Sequence, residues 1–502
     1  MLIVCLGGFG CTRAVTEPVR AQSTPARERW PVPDWETSTA ESEGVSSAGI
    51  DAALTYLRDH DARAHSLTLV RHGVLIVDAY FYPFARDARH DLASVTKSIT
   101  ATLVGIAITR RQIQSLDEPL RSFLGNTGPV AQLRLLDLLD MASGLDCGFT
   151  PGEPELSAMR SRPDWVAAAL QLPRVAPPGS RFGYCSPAFH LASAAVSRAV
   201  GSPMDVYARK VLFQPLGISD VYWRRDPQQV TDGWGDLYMR PRDLAKFGLL
   251  YLRRGAWNGA QLLPDAWVAT ATSTHSAGAG DEAYGLGWWI SKSVPGMYEA
   301  VGRGGQHLVV WPDKDLVVVT TGGGFELAEV APLLIAAIRS DTSLPAAPEA
   351  TRALHATLLR IAQPRTAERI HTIHTTPGAR EISGRTLTFA ANPLGLATLR
   401  LDFDDLDGGR ARARLELADR VLDTAVGLDG VERFGTSTPS QAIIAAHGRW
   451  TGDHSFHLVI DLLAEIDAID ATLDIAAQSV TVTLQVGDAK LSLTGKLQPR
   501  SS

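Results

Sequence analysis

Seven lysines occur in the 502 residues, and Lys97 alone among them has a serine three positions before it, in Leu92-Ala93-Ser94-Val95-Thr96-Lys97-Ser98. The stretch that follows carries Ile99, Leu103, Val104, Ile106 and Ala107 at helical spacing, a pattern that predicts a helix with one apolar face. Ser94 and Lys97 then stand one turn apart on the same side of its start. A serine hydroxyl is a poor nucleophile until a neighbour takes its proton. A lysine can take it only where burial or nearby positive charge lowers its pKa. The free N–H groups of a helix start would favour the negative charge that develops on an attacked carbonyl. The pair therefore points to nucleophilic catalysis; a helix-capping serine followed by a solvated lysine is the other reading of the same residues.

Such a pair needs a scaffold, and the flanking patterns describe one. Ile50, Leu54 and Leu57 give helical spacing to Ser47–His60, and Ser66–Val70 and Val74–Tyr82 read as strands around the turn Arg71-His72-Gly73. From Ser94 to about Thr274 helical periods dominate, through Leu133–Leu139, Trp165–Leu170 and Phe189–Val200. Strand patterns return at Tyr284–Ser291, Met297–Val301, His307–Trp311 and Leu316–Thr321, before a helix at Ala328–Ile338. The expectation is an α+β domain over 45–340, one antiparallel sheet built from both ends with a helical region packed on it. Residues 22–44 read as an extended leader, and 341–380 as a linker with one helical stretch, Ala350–Ile361. Beyond it, Leu387/Phe389, Leu399/Leu401/Phe403, Ala413/Leu415/Leu417, Phe456/Leu458/Ile460 and Val480/Val482/Leu484 alternate with period two. Residues 381–502 are thus expected to form a separate all-β domain, a sandwich or small barrel.

Lys and Arg number 48 against 54 Asp and Glu, a net charge of −6, and no basic run is long enough to track a phosphate backbone. Nucleic acid is therefore not an expected partner. Met1–Phe9 is apolar and Val19-Arg20-Ala21 supplies a small-residue site, so residues 1–21 resemble a secretion signal without its basic start. Cys11, after Gly8-Phe9-Gly10, is a candidate lipid-anchored residue. These features lead us to expect a periplasmic or secreted protein, and no later segment is apolar over the 18 residues a membrane span needs. In an oxidising compartment Cys147 and Cys185 would form a disulfide; two buried thiols are the alternative. The sequence has no G-x-S-x-G elbow, P-loop, dinucleotide fingerprint or H-E-x-x-H. His371-x-x-His374 and His454-x-x-His457 have no cysteine or carboxylate framework, so neither metal nor cofactor is expected.

In these motifs the chain resembles the serine β-lactamase and penicillin-binding-protein superfamily, in particular its class C-like branch of esterases, D-aminopeptidases and 6-aminohexanoate-dimer hydrolases. The superfamily's S-x-x-K pattern falls on Ser94 and Lys97 after Asp91-Leu92-Ala93. Leu135–Leu145 is similar to its DLL-x-M-x-SGL segment, followed in order by Pro178-Gly179, Tyr184-Cys185-Ser186, Pro215-Leu216-Gly217 and Pro241–Ala245. The resemblance implies an acyl-enzyme on Ser94, with Lys97 and Tyr184 as general base and acid, acting on a small-molecule ester or amide. Ser186 replaces the family's Asn, with fewer hydrogen-bonding groups and a shorter reach. Gly302-Arg303-Gly304-Gly305-Gln306 falls at its K-T-G position. There Arg303 would keep a positive charge suited to a substrate carboxylate, Gly304 and Gly305 would let substrate lie on the backbone, and the N–H groups of Ser94 and Gln306 would hold the oxyanion. Both departures favour esters over β-lactams. Trp234, Trp288, Trp289 and Tyr238 are candidates for the cleft wall or for core. Two other readings remain open on sequence: a binding or β-lactam-sensing protein using the same cleft without turnover, and a structural cell-envelope protein.

Overall fold

The computed structural model describes residues 29–60, 62–126, 128–147, 153–364, 376–405, 409–418, 420–438, 442–477, 479–486 and 489–499. His371, His374, Cys11 and the signal-like segment lie outside these residues.

The first domain is built on a seven-stranded sheet of β1 (Ala64–Arg71), β2 (Val74–Tyr80), β3 (Glu282–Tyr284), β4 (Trp289–Ser291), β5 (Tyr298–Gly302), β6 (Gln306–Trp311) and β7 (Leu316–Gly322), in the order β2-β1-β7-β6-β5-β4-β3. All neighbours are antiparallel, and β1 lies against β7 with Leu67 opposite Thr320 and Leu69 opposite Val318. The two ends of the domain thus meet in mid-sheet. Strand β7 is an unbroken buried run because both faces are covered. Leu316 and Val318 pack with α1 (Ser47–Asp59), while Val317 and Val319 face the helical region.

That region holds α2 (Thr96–Thr109), α3 (Ser186–Val200) and α4 (Pro241–Leu252). Helix α2 differs from the one-sided helix its spacing predicts: every residue from Thr96 to Ala107 is buried. Three of its buried hydroxyls find backbone acceptors, Ser98 on Gly287 O at 2.5 Å, Thr100 on Gly233 O at 2.8 Å and Thr102 on Ser98 O at 2.7 Å, whereas Thr96 Oγ1 has no partner. Burial all round makes it the central post of the domain.

Two segments read as extended or linking belong to this body instead. Trp35 is buried, and Glu41 accepts from Ser47 N at 2.8 Å and Ser47 Oγ at 2.7 Å, so residues 29–44 are fastened to the start of α1. After α5 (Leu327–Ala337), α6 (Pro348–Ile361) buries Leu354 and Ile361 in the same core as α1. Its apolar stripe needed a surface, and α1 supplies it.

The second domain is a closed barrel of ten strands: β8 (Thr386–Thr388), β9 (Thr398–Asp405), β10 (Arg410–Glu416), β11 (Val421–Gly427), β12 (Arg433–Thr438), β13 (Ile443–Gly452), β14 (Ser455–Leu462), β15 (Ala468–Ala476), β16 (Ser479–Val486) and β17 (Ala489–Leu497). Of the two all-β forms expected, it takes the barrel. Strand β17 closes the ring on β8, Leu497 opposite Leu387. Alternation sorts the side chains: on β10, Ala411, Ala413 and Leu415 are buried inside, while Arg410, Arg412 and Arg414 are exposed. Among the described residues no helix is long and apolar enough to cross a membrane.

Candidate active site

Ser94 sits in a single 3-10 turn, Ala93–Val95, that leads into α2. The turn is tight enough to place Ala93 at φ 44°, a left-handed conformation that a residue with a Cβ seldom adopts. Neighbours hold it there: Asp91 Oδ1 accepts from Ala93 N at 2.8 Å, and Leu92 N donates to Leu237 O at 2.9 Å. Ser94 is not a cap, since the residue at the cap position is Val95 and no side chain closes the helix start. Lys97 reaches back one turn, donating from Nζ to Ser94 Oγ at 2.8 Å and to Trp234 O at 3.1 Å. Only 1 % of Lys97 is exposed, so the solvated-lysine reading does not hold.

Tyr184 completes the cluster. Lys97 Nζ lies 4.8 Å from the centre of its ring, and the ring stacks on Trp289 with centroids 6.1 Å apart. The loop after the short helix Leu135–Leu139 positions it: Gly183 N donates to Met141 O at 2.7 Å, and Cys185 is joined to Cys147 by a disulfide with Cα atoms 5.2 Å apart. Ser186 opens α3 and is buried, its Oγ without a hydrogen-bond partner. Of the candidate wall aromatics, Trp288 and Trp234 are core, whereas Trp289 is half-buried beside Tyr184. Tyr238 lies in a small three-stranded ribbon, opposite Asp91.

The turn between β5 and β6 departs from expectation in three places. The space over Gly304, expected to receive substrate, is taken by Ile466 of the barrel, whose Cγ2 lies 2.3 Å from where a Cβ would stand. Gly305 is covered in the same way by Phe325. Arg303 pairs with Asp467, Nη1 to Oδ2 at 2.8 Å, leaving no simple vacancy for a substrate carboxylate. Gln306 is fully buried, and its side chain donates to Gly322 O at 2.7 Å and accepts from Gly322 N at 3.3 Å, clamping the turn to β7. The residue here that meets the loop carrying Ser94 is Gly302, where a Cβ would come within 2.6 Å of Leu92 O and 3.0 Å of Ala93 Cβ.

Two carboxyl groups missed in the sequence lie nearby. Burial, reinforced by Asp236, pushes Asp91 up to about 7. Burial, reinforced by the neighbouring carboxyl of Asp236, pushes Asp232 up to about 10. His457, one of the paired histidines, hydrogen-bonds Asp470 at 2.8 Å on the barrel surface. Among the described residues no cluster of His, Cys, Asp and Glu is placed to hold a metal.

A serine in hydrogen-bond contact with a buried lysine at a helix start, with a tyrosine ring beside that lysine, is an arrangement able to attack a carbonyl and move the released proton. Known proteins share this frame. A 6-aminohexanoate-dimer hydrolase of Paenarthrobacter ureafaciens is 26% identical over 303 residues, covering 54% of this chain and 76% of the relative. Among solved structures, a Bacillus anthracis chain assigned provisionally as a 6-aminohexanoate-dimer hydrolase superposes with a TM-score of 0.50 at 20% identity, covering 66% of this chain and 87% of its own. EstCE1, a hydrolase with promiscuous acyltransferase activity, gives 0.50 at 17% identity, over 59% of this chain and 99% of its own. These likenesses speak to the fold. The sequence profile of the Beta-lactamase family matches residues 50–340, the sheet and helical region that carry Ser94, Lys97 and Tyr184, and the chain belongs to that family.

Proposed function

We propose that the protein is a serine hydrolase that cleaves an ester or amide of a small molecule through an acyl-enzyme on Ser94. The observation that carries this reading is the 2.8 Å contact between Ser94 Oγ and the buried Lys97 Nζ. Lys97 Nζ takes the Oγ proton as Oγ bonds to the carbonyl carbon. The N–H groups of Ser94 and Gln306 hold the oxyanion, the second fixed by the clamp of the Gln306 side chain. The tetrahedral species collapses, the C–O or C–N bond breaks, and the leaving group departs with a proton delivered through Tyr184. Water then attacks the acyl carbon as Tyr184 and Lys97 take up one of its protons, the bond from the acyl carbon to Oγ breaks, and that proton passes to Ser94 Oγ as the acid leaves.

Ester substrates are favoured over β-lactams. The buried hydroxyl of Ser186 offers one donor where an asparagine would offer an amide, and an amide left unpaired in such a site costs about 1 to 3 kcal/mol. The preference for short acyl esters over penicillins and cephalosporins is at least about tenfold in kcat/KM, or roughly 1.4 kcal/mol. The disulfide supports an exported protein, since such bonds persist in oxidising compartments.

A fluorophosphonate probe tests the reading. It should label one site, and Ser94→Ala should abolish labelling and ester hydrolysis together with the fold intact. Labelling that survives the substitution refutes the assignment; stoichiometric acylation without turnover would instead identify a binding protein.

A further inference from the structure

The barrel docks beside the loop that carries Ser94 with a hairpin, the turn Leu463–Asp467 between β14 and β15. Its contacts are specific. Ala464 O accepts from Asp91 N at 2.7 Å, three residues before Ser94. Ile466 is 3% exposed and lies on Gly304, and Leu463 is buried beside His65, His90 and Phe84. Apolar residues at a hairpin tip ordinarily face water; burial of both marks this tip as docked on the first domain. Within the hairpin Glu465 is held by Arg420, and Asp467 meets the guanidinium of Arg303.

Arg303 follows Gly302, the residue that packs on Leu92 and Ala93, and its cation lies close enough to Asp91, three residues before Ser94, to act on that carboxyl. It is 62% exposed and Asp467 27%, so both remain within reach of a dissolved substrate. Building on the acyl-enzyme reading, we propose that Asp467 is a specificity-determining residue: it occupies in cis the place a substrate carboxylate would take on Arg303 and so selects neutral esters or amides over carboxylate-bearing ones. Glu465, paired with Arg420, puts a second carboxylate on the same hairpin. A substrate carboxylate must displace an internal carboxylate already tethered at the site, whereas a neutral substrate displaces nothing. Because the pair is exposed and screened, the discrimination is modest, about two- to fivefold.

The test compares matched esters that differ by one carboxylate, on the full chain: p-nitrophenyl butyrate with p-nitrophenyl hydrogen glutarate, and phenyl acetate with 4-acetoxybenzoate. Asp467→Asn removes the competing charge at constant size. It should raise the charged-to-neutral ratio of kcat/KM about two- to fivefold in at least one pair, and the gain should vanish in an Arg303→Gln background. A ratio that stays within 1.5-fold of wild type in both pairs, on the order of the smallest effect such a pair gives, overturns the proposal. So does a gain that persists without Arg303. A wild-type protein that neither turns over esters nor takes a fluorophosphonate overturns the acyl-enzyme reading and this inference with it; labelling and turnover with unmoved ratios overturn the inference alone.

Discussion

Gly302→Ala adds a single methyl group between the β5 edge and the loop carrying Ser94. The backbone there is not in a left-handed conformation, so alanine meets no torsional penalty and the effect comes from space alone. The new carbon would lie 2.6 Å from Leu92 O, against the 3.4 Å at which ordinary contact begins, so strand and loop must part by about 0.8 Å. Retreat of the strand is resisted by Gln306, clamped to β7, and retreat of the loop by Asp91 and Leu237. Overpacking of this kind costs about 1 to 3 kcal/mol, a fall in Tm of roughly 2 to 12 °C for a domain of this size. A misplacement near 1 Å at a reacting centre costs on the order of 100-fold in rate, about 2.7 kcal/mol of transition-state stabilisation. Ester kcat/KM and the rate of fluorophosphonate labelling should therefore fall together by about two orders of magnitude, while the melt stays cooperative. Retention of both within about threefold of wild type, below 1 kcal/mol, would show that the strand edge does not set the position of Ser94.

Three further outcomes follow from the site. Tyr184→Phe should lower ester turnover by about 10²- to 10⁴-fold, the usual worth of a general acid–base group, with burst kinetics separating acylation from deacylation; turnover near wild type would remove Tyr184 from the proton path. The Cys147–Cys185 disulfide spans 38 residues and is worth about 4 kcal/mol in the chain-entropy model, so Cys147→Ser with Cys185→Ser should lower Tm clearly, and a melt indifferent to reductant would count against the bond. Asp232, raised to about 10, keeps its proton in the folded state while an unfolded carboxyl loses it near 4, so folding pays increasingly as pH rises through that window. Asp232→Asn, whose amide can donate to Asp236, should accordingly raise Tm more at pH 8 than at pH 5; an equal shift at both values would contradict a proton held on Asp232.

What could be read from the sequence was what depends on neighbours a few residues apart. Ser94 and Lys97 meet because a helix brings i and i+3 together, and the barrel strands follow from alternation such as Ala411, Ala413 and Leu415 against Arg410, Arg412 and Arg414. Contacts between distant segments left weaker traces. The stripe of α6 with Leu354 and Ile361 shows that something covers it, but not that α1 does, so the segment read as a linker. The hydroxyls of Ser98 and Thr100 looked like a solvent face because their acceptors, Gly287 and Gly233, lie more than 130 residues away. Leu463–Asp467 is a short turn of mixed polarity in its own neighbourhood, and only the fold shows that Ile466 fills the space over Gly304 and Asp467 the partner position of Arg303.

Closure of the barrel by β17 on β8 also sets an order in time. Asp467 follows Arg303 by 164 residues. At a synthesis rate of about 5 to 20 residues per second, that gap takes roughly 8 to 33 s. The ring around the hairpin closes later still, when Leu497 comes to lie opposite Leu387. A growing chain therefore carries Ser94, Lys97 and Tyr184 well before Asp467: on the function proposed above, the acylating residues are synthesised first and the carboxylate that would narrow their choice of substrate comes later.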